Sequence, residues 1–177
     1  LREVTRKHRI VLVFDEIVTG FRVHPRGAQG HFGIQADIAT YGKVLGAGFP
    51  VGAIAGAPRF LDALDGGAWQ YGDSSGPEVG VTFFAGTFVR HPLSMAAARA
   101  VLLKIRDEGP GLQQRLTEMT AQAGVRLRAV VDRHGAPVEI AHFSALLQLV
   151  IAPSFRHGAL IYYLLRERGI HIWENRA

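Results

Sequence analysis

Ile10-Val11-Leu12-Val13-Phe14-Asp15-Glu16 is a run of five apolar residues, three of them β-branched, that ends on two carboxylates. Such a run predicts a short buried strand over residues 10–14. It puts Asp15 at the strand's C-terminal end, where α/β proteins gather ligand sites. A carboxylate there is costly to bury unless something pairs with it. A bound cation could supply the pairing; so could an arginine, or the Asp could cap the following turn.

Working outward, Thr19-Gly20 and His24-Pro25-Arg26-Gly27 mark a loop. Residues 37–41 predict a second strand, ending at Gly42, and residues 51–56 a third, weakened by glycine. Pro58 opens a helix over residues 59–64. The stretch from Asp65 to Gly80 is rich in Gly, Ser, Asp and Pro and predicts a long loop. An alanine-rich helix follows over residues 92–107, opened by Pro92 and stopped at Gly109-Pro110. A second helix is expected over residues 111–133, with Leu112, Leu116, Met119, Ala123, Leu127 and Val130 as its apolar stripe. Val138–His142 and Leu146–Ile151 predict strands, residues 157–168 a helix, and Ile170–Trp173 a last strand. The order predicts an α/β fold with a smaller α+β part behind it. Composition shifts near Gly109-Pro110, so we expect a domain boundary there, with residues 1–109 on one side and 110–177 on the other.

Composition narrows the function. At 177 residues with 48% hydrophobic and 20% charged content, the chain suits a globular fold rather than a disordered one. No apolar stretch approaches the roughly 18 residues of a membrane span, and the N-terminus lacks the apolar core of a signal peptide. We therefore expect no membrane partner and a cytoplasmic location. There is no initiator methionine, which leads us to expect a chain that begins mid-protein. Cysteine is absent, so disulfides, thiolate nucleophiles and cysteine-based zinc sites are excluded. The eight histidines show no H-E-x-x-H and no i, i+4 pair, so no metal is expected. The net charge of +5 is compatible with a non-catalytic basic module that contacts nucleic acid. The arginines are scattered, however, and a solvated surface explains them without nucleic acid.

Lysine is rare here. Only Lys7, Lys43 and Lys104 occur among twenty basic residues; the others are arginine. Arginine stays protonated, whereas a desolvated lysine can lose its proton and attack a carbonyl. Lys43 follows a predicted strand and enters the glycine-rich turn Gly42-Lys43-Val44-Leu45-Gly46-Ala47-Gly48. It also reads as an ordinary surface lysine in a turn. The turn does not match nucleotide motifs. Gly46-Ala47-Gly48-Phe49-Pro50-Val51-Gly52 is not the dinucleotide fingerprint, and a P-loop would need Gly at 37 and Ser or Thr at 44, where Asp37 and Val44 stand. Taken with Asp15, Lys43 fits a pyridoxal phosphate site, with an imine-forming lysine and an acid facing the pyridinium nitrogen. Phe84-Ala85-Gly86-Thr87, ahead of the Pro92 helix, offers a glycine for close backbone approach and a hydroxyl donor, which suits a phosphate or a plain capped turn. His91, beside Arg90, lies near that contact.

Three motifs appear together in order: Val13-Phe14-Asp15-Glu16-Ile17-Val18-Thr19-Gly20-Phe21-Arg22, then Tyr41-Gly42-Lys43-Val44-Leu45-Gly46-Ala47-Gly48-Phe49-Pro50-Val51-Gly52, then Ala85-Gly86-Thr87 with Pro92. They resemble the class III pyridoxal phosphate aminotransferases, especially the glutamate semialdehyde aminomutase branch. The resemblance implies the fold type I architecture, with residues 1–109 as the C-terminal part of the cofactor-binding large domain. Residues 110–177 would be part of the small C-terminal domain. It implies pyridoxal 5'-phosphate as cofactor, Lys43 as the imine-forming residue, Asp15 on the pyridinium nitrogen and Ile17 on the back of the ring. Gly86 and Thr87 would reach the phosphate of the neighbouring subunit's cofactor, so a homodimer is implied.

The family's upstream phosphate loop and front-face aromatic have no counterpart in this stretch. Val18 stands where many amine transaminases carry glutamine, and Phe88-Val89-Arg90-His91-Pro92 replaces the aminomutase's small residues before Asn-Pro. Residues 65–73 and 169–176 resemble aminotransferase domains of polyketide and nonribosomal peptide assembly lines. That implies an amino donor and a carrier-tethered keto-acyl acceptor in natural product biosynthesis; an intramolecular aminomutase is the alternative.

Overall fold

The computed structural model describes residues 1–67, 69–78, 80–82 and 85–173. Ala68, Phe84 and residues 174–176 of the motifs above lie outside these. The chain divides into two compact units, Leu1–Gln113 and Gln114–Ala177.

The first unit is organised by a three-stranded sheet. β1 (Val13–Asp15) runs parallel to β2 (Ile38–Tyr41), and β2 runs antiparallel to β3 (Ala53–Gly56). Val13 pairs with Ile38 and Asp15 with Thr40. A parallel pair needs a crossover, and here it contains a helix, α2 (Gly27–Phe32), which begins at the last residue of the His24–Gly27 loop signal and which the pattern does not predict. Two other helices also bear on the sheet: α1 (Arg2–Lys7), which the pattern did not predict, and α3 (Pro58–Leu61), which continues as a 3-10 turn to Asp65. The expected alanine-rich helix is α4 (Pro92–Glu108); it packs on the 3-10 turn Lys43–Gly46 that follows β2.

The strand expected over residues 10–14 is shorter, shifted toward Asp15, and not buried. Val13 is 54% exposed and Ile10 55%. Leu12 and Ala39 are buried, but no described element covers the other face of β1. An apolar run specifies a need for burial, and this unit meets it on one side only.

The second unit holds most of α5 (Gly111–His134), the hairpin β4 (Val138–Phe143) and β5 (Leu146–Ile151), and α6 (Leu160–Glu167). Ile140 and Tyr162 form its buried centre. Arg128 Nη2 of α5 donates to the Ile140 carbonyl at 3.0 Å. Gly124 lets the His142 ring approach; a Cβ there would stand 3.2 Å from it.

Three expectations fail in this unit. Ile170–Trp173 is irregular, not a strand, because no described backbone lies alongside to complete a ladder. The α5 stripe is largely uncovered: Leu116, Met119, Leu127 and Val130 are between 40% and 65% exposed. α6 also starts later than predicted, after turns over residues 153–154 and 156–159.

Candidate functional site at the C-terminal sheet edge

Two neighbouring parallel strands point their C-terminal ends to the same edge. β1 ends on Asp15, directly opposite Thr40 of β2. Three residues beyond Thr40, Lys43 opens the turn after β2. The register therefore delivers Asp15 and Lys43 to one edge of one sheet.

Asp15 is held from one side. Its Oδ1 accepts the Ile17 N–H at 2.9 Å and the Thr40 hydroxyl at 3.2 Å. Its Oδ2 has no protein partner among the described residues, and the residue is exposed. Ile17 lies against Gly42: a Cβ on Gly42 would stand 3.4 Å from Ile17 Cγ2. That places an apolar side chain next to the residue preceding Lys43.

Lys43 has φ 30, in the left-handed region that favours glycine. It too is exposed, and its amine has no partner among the described residues. The apolar run predicts a buried strand end at Asp15, and an imine-forming Lys43 calls for desolvation, whereas an ordinary surface lysine is exposed. In this unit the sheet edge faces outward, so both polar heads reach solvent. The turn itself is fixed below Lys43. Leu45 and Gly46 are buried, Leu45 N–H donates to Gly42 O at 2.8 Å, and a Cβ on Gly46 would press on Val51 at 2.8 Å.

Glu16, which the motif contains but the sequence reading gave no role, organises this edge. It is 1% exposed. Its carboxylate accepts the Ala28 N–H at 2.8 Å, the Gln29 N–H at 2.9 Å and the Thr19 hydroxyl. It thus satisfies the free N–H groups at the start of α2, where the helix dipole favours an anion. Gly27 makes this possible. Its φ is 65, and a Cβ would penetrate the Glu16 carboxylate. Tyr41 packs on Phe21 with ring centroids 5.4 Å apart, and Gln29 Nε2 donates to its hydroxyl at 3.3 Å. Burial, reinforced by the Glu16 charge, pushes the Tyr41 phenol above its ordinary value.

Gly86 and Thr87 sit elsewhere in the same unit. They line a cleft of about 590 Å³ with Pro50, Val51, Gly52 and Arg90, which does not include Asp15 or Lys43. Arg90 also has positive φ, at 55, and His91 stands at the N-cap of α4. Ile17, Lys43 and Asp15 are therefore brought together, and Gly86 and Thr87 form a second cluster. The two are linked through α4, which follows Thr87 and packs on the Lys43 turn.

A ligand edge of this kind, closed by a lysine-bearing glycine turn, belongs to the α/β proteins that place chemistry at strand ends. The family described as aminotransferase class-III matches residues 1–175, and the chain belongs to it. It is 34% identical over 149 residues to a glutamate-1-semialdehyde 2,1-aminomutase of Methanocaldococcus jannaschii, covering 84% of this chain and 32% of that protein. A protein of the same name from Aeropyrum pernix is 36% identical over 151 residues, covering 85% of this chain and 32% of the relative. The chain thus spans about a third of the length of these curated relatives. Among solved structures, an omega-transaminase from Sphaerobacter thermophilus superposes with TM-score 0.77 at 27% identity, covering 97% of this chain and 39% of that one. A structure titled "Transaminase with PLP bound" gives TM-score 0.77 at 30% identity over the same shares.

Proposed function

We propose that this chain carries the lysine and aspartate of a pyridoxal phosphate site, within a longer enzyme that transfers amino groups. Class III aminotransferases use pyridoxal 5'-phosphate, and the residues at the sheet edge suit it. The observation that carries the reading is the β1–β2 register, which presents at one edge a carboxylate oxygen and an amine that have no partner among the described residues. A protonated pyridine nitrogen matches Asp15 Oδ2, an aldehyde carbon matches Lys43 Nζ, and the Ile17 side chain offers an apolar wall beside them.

Each residue then has a task. Thr40 and the Ile17 N–H fix one oxygen of Asp15, so the other is oriented to hold a proton on the ring nitrogen. Bound there, the cofactor supplies an electron sink for the carbanion left when the substrate loses its α proton. Lys43 Nζ would hold the cofactor at its aldehyde carbon, and as a free amine would take and return the substrate's α proton as general base and acid. Gly86 and Thr87 contribute to a phosphate contact with the cofactor of a second subunit, in a homodimer. Residues 1–109 belong to the large domain and 110–177 to the small one. A cytoplasmic location, compatible with a chain without cysteine, goes with this reading.

The substrates are an amino donor and a keto acceptor; a carrier-tethered acyl chain is the acceptor we favour, on the resemblance of residues 65–73 to assembly-line domains. The identity to two aminomutases supports a second reading, in which one substrate is rearranged using the same residues. Consumption of an external amino donor separates the two. The site itself is tested by loading the full-length protein with pyridoxal phosphate, reducing with borohydride and mapping the adduct. Labelling at Lys43 is expected; labelling at Lys7 or Lys104 instead would overturn the assignment.

A further inference from the structure

The opposite, N-terminal end of the same sheet holds a second concentration of charge. A pocket of about 310 Å³ there is lined by Arg2, Arg6, Arg9 and Arg59, with Asp37 and the Phe60 ring. Four arginines line a pocket that contains one carboxylate, and two of them, Arg2 and Arg59, pair with it. Asp37 is fully engaged: Arg2 Nη1 at 2.9 Å and Arg59 Nη2 at 2.6 Å share it. Arg6 and Arg9 are exposed; the Arg9 N–H donates to the Arg6 carbonyl at 3.1 Å, and neither side chain has a hydrogen bond or ion pair among the described residues. Like charges gathered this way repel unless an anion joins them.

The backbone adds a second sign. The chain leaves α1 through a left-handed residue, φ 55, and that residue is Arg9. Glycine usually fills such a position because any side chain there is strained. Ile10 N–H closes the turn on Thr5 O at 2.8 Å, so the conformation is held. The strained turn sets Arg9 among the residues that line the pocket. Arg59 is stacked 4.8 Å over Phe60, which leaves its planar fork restrained.

We propose that this pocket binds a small, multiply charged phosphate through Arg6, Arg9 and Arg59, as a site separate from the Lys43 edge. Guanidinium forks match phosphate oxygens in pairs, and the pocket's volume admits one such group. Arg2 stays with Asp37 as the floor of the site.

The test is position-resolved, so that phosphate bound at the Lys43 edge does not confuse it. The full-length protein, loaded with cofactor, is treated with phenylglyoxal in pyrophosphate or in sodium chloride of equal ionic strength, and modified arginines are mapped by mass spectrometry. Modification of Arg6 and Arg9 should slow about tenfold in pyrophosphate, the change expected from charge-assisted pairing. Arg99 and Arg126 should not change. The same protection should persist in a Lys43→Ala variant, whether or not that variant holds cofactor. In an Arg6→Ser/Arg9→Ser variant, protection of Arg59 should disappear with no loss of thermal stability. Equal rates in the two salts, or protection by citrate but not pyrophosphate, would overturn the proposal.

Discussion

The three-stranded sheet carries one aspartate at each end, and the two are treated in opposite ways. Asp37, before β2, has both oxygens occupied: Oδ2 takes the Leu12 N–H and Arg2, each at 2.9 Å, and Oδ1 takes Arg59. Asp15, at the end of β1, has one oxygen held and the other open. The first ties α1, β1 and α3 together. The second bonds only its own turn at Ile17 and Thr40 of β2, through one oxygen, and its other oxygen is open among the described residues. A carboxylate whose bonds are complete stabilises the fold; one left half-bonded at a strand end is available for chemistry.

Substitutions can break this contrast. Lys43→Ala in the full-length enzyme should lower turnover by about 10⁴-fold or more, since it removes both attachment and proton transfer. The urea midpoint should stay put, because the amine has no partner among the described residues. Retained turnover would sink the proposed role. Asp15→Asn should cost activity by about 10²-fold, the lower range for a group that assists proton chemistry. The diagnostic is the absorption spectrum of the bound cofactor, which should shift while thermal unfolding does not.

Asp37→Asn should do the reverse, lowering stability while sparing the spectrum of bound cofactor. The Leu12 N–H bond, followed by Arg2, holds the Asp37 carboxyl below its ordinary value of 3.8. Between that depressed value and 3.8 the unfolded chain binds more protons than the folded one, so stability rises with pH there. The contribution is complete above the unfolded value and is lost as pH falls through the folded one. Urea midpoints measured across acid pH should show this slope in the parent and a flatter one in Asp37→Asn.

Gly27→Ala should cost about 2–3 kcal/mol, combining left-handed strain with displacement of a buried carboxylate that already holds three donors. Denaturant unfolding reads it directly, and a neutral result would mean that Glu16 does not anchor α2. The smallest effect expected is Arg59→Gln. Its side chain is 67% exposed against 15% for Arg2, so Arg2→Gln should lower the midpoint more.

Much of this was legible in the chain alone. The apolar run into Asp15, the short strand into Gly42 and the Pro92 helix follow from patterns that are local, and local patterns set elements. The family match agrees with the three ordered motifs. What escaped was everything requiring a distant partner. Glu16 and Asp37 look like any acid beside a strand; their importance comes from N–H groups and arginines many residues away. Burial failed for a related reason. The spacing of Leu116, Met119 and Leu127 says that a face is apolar, but not that this unit covers it. Ile170–Trp173 has strand-forming residues yet no neighbour to pair with, and a strand without a ladder does not persist.

The Glu16 clamp also bears on the order of assembly. Pairing β1 with β2 in parallel requires the ends of a long crossover to meet, and that closure costs chain entropy before any ladder bond repays it. By fastening itself to Ala28 and Gln29, the carboxylate draws a shorter ring inside the longer one. The remaining span is easier to close, so refolding of a Glu16→Gln variant should slow by more than its unfolding accelerates.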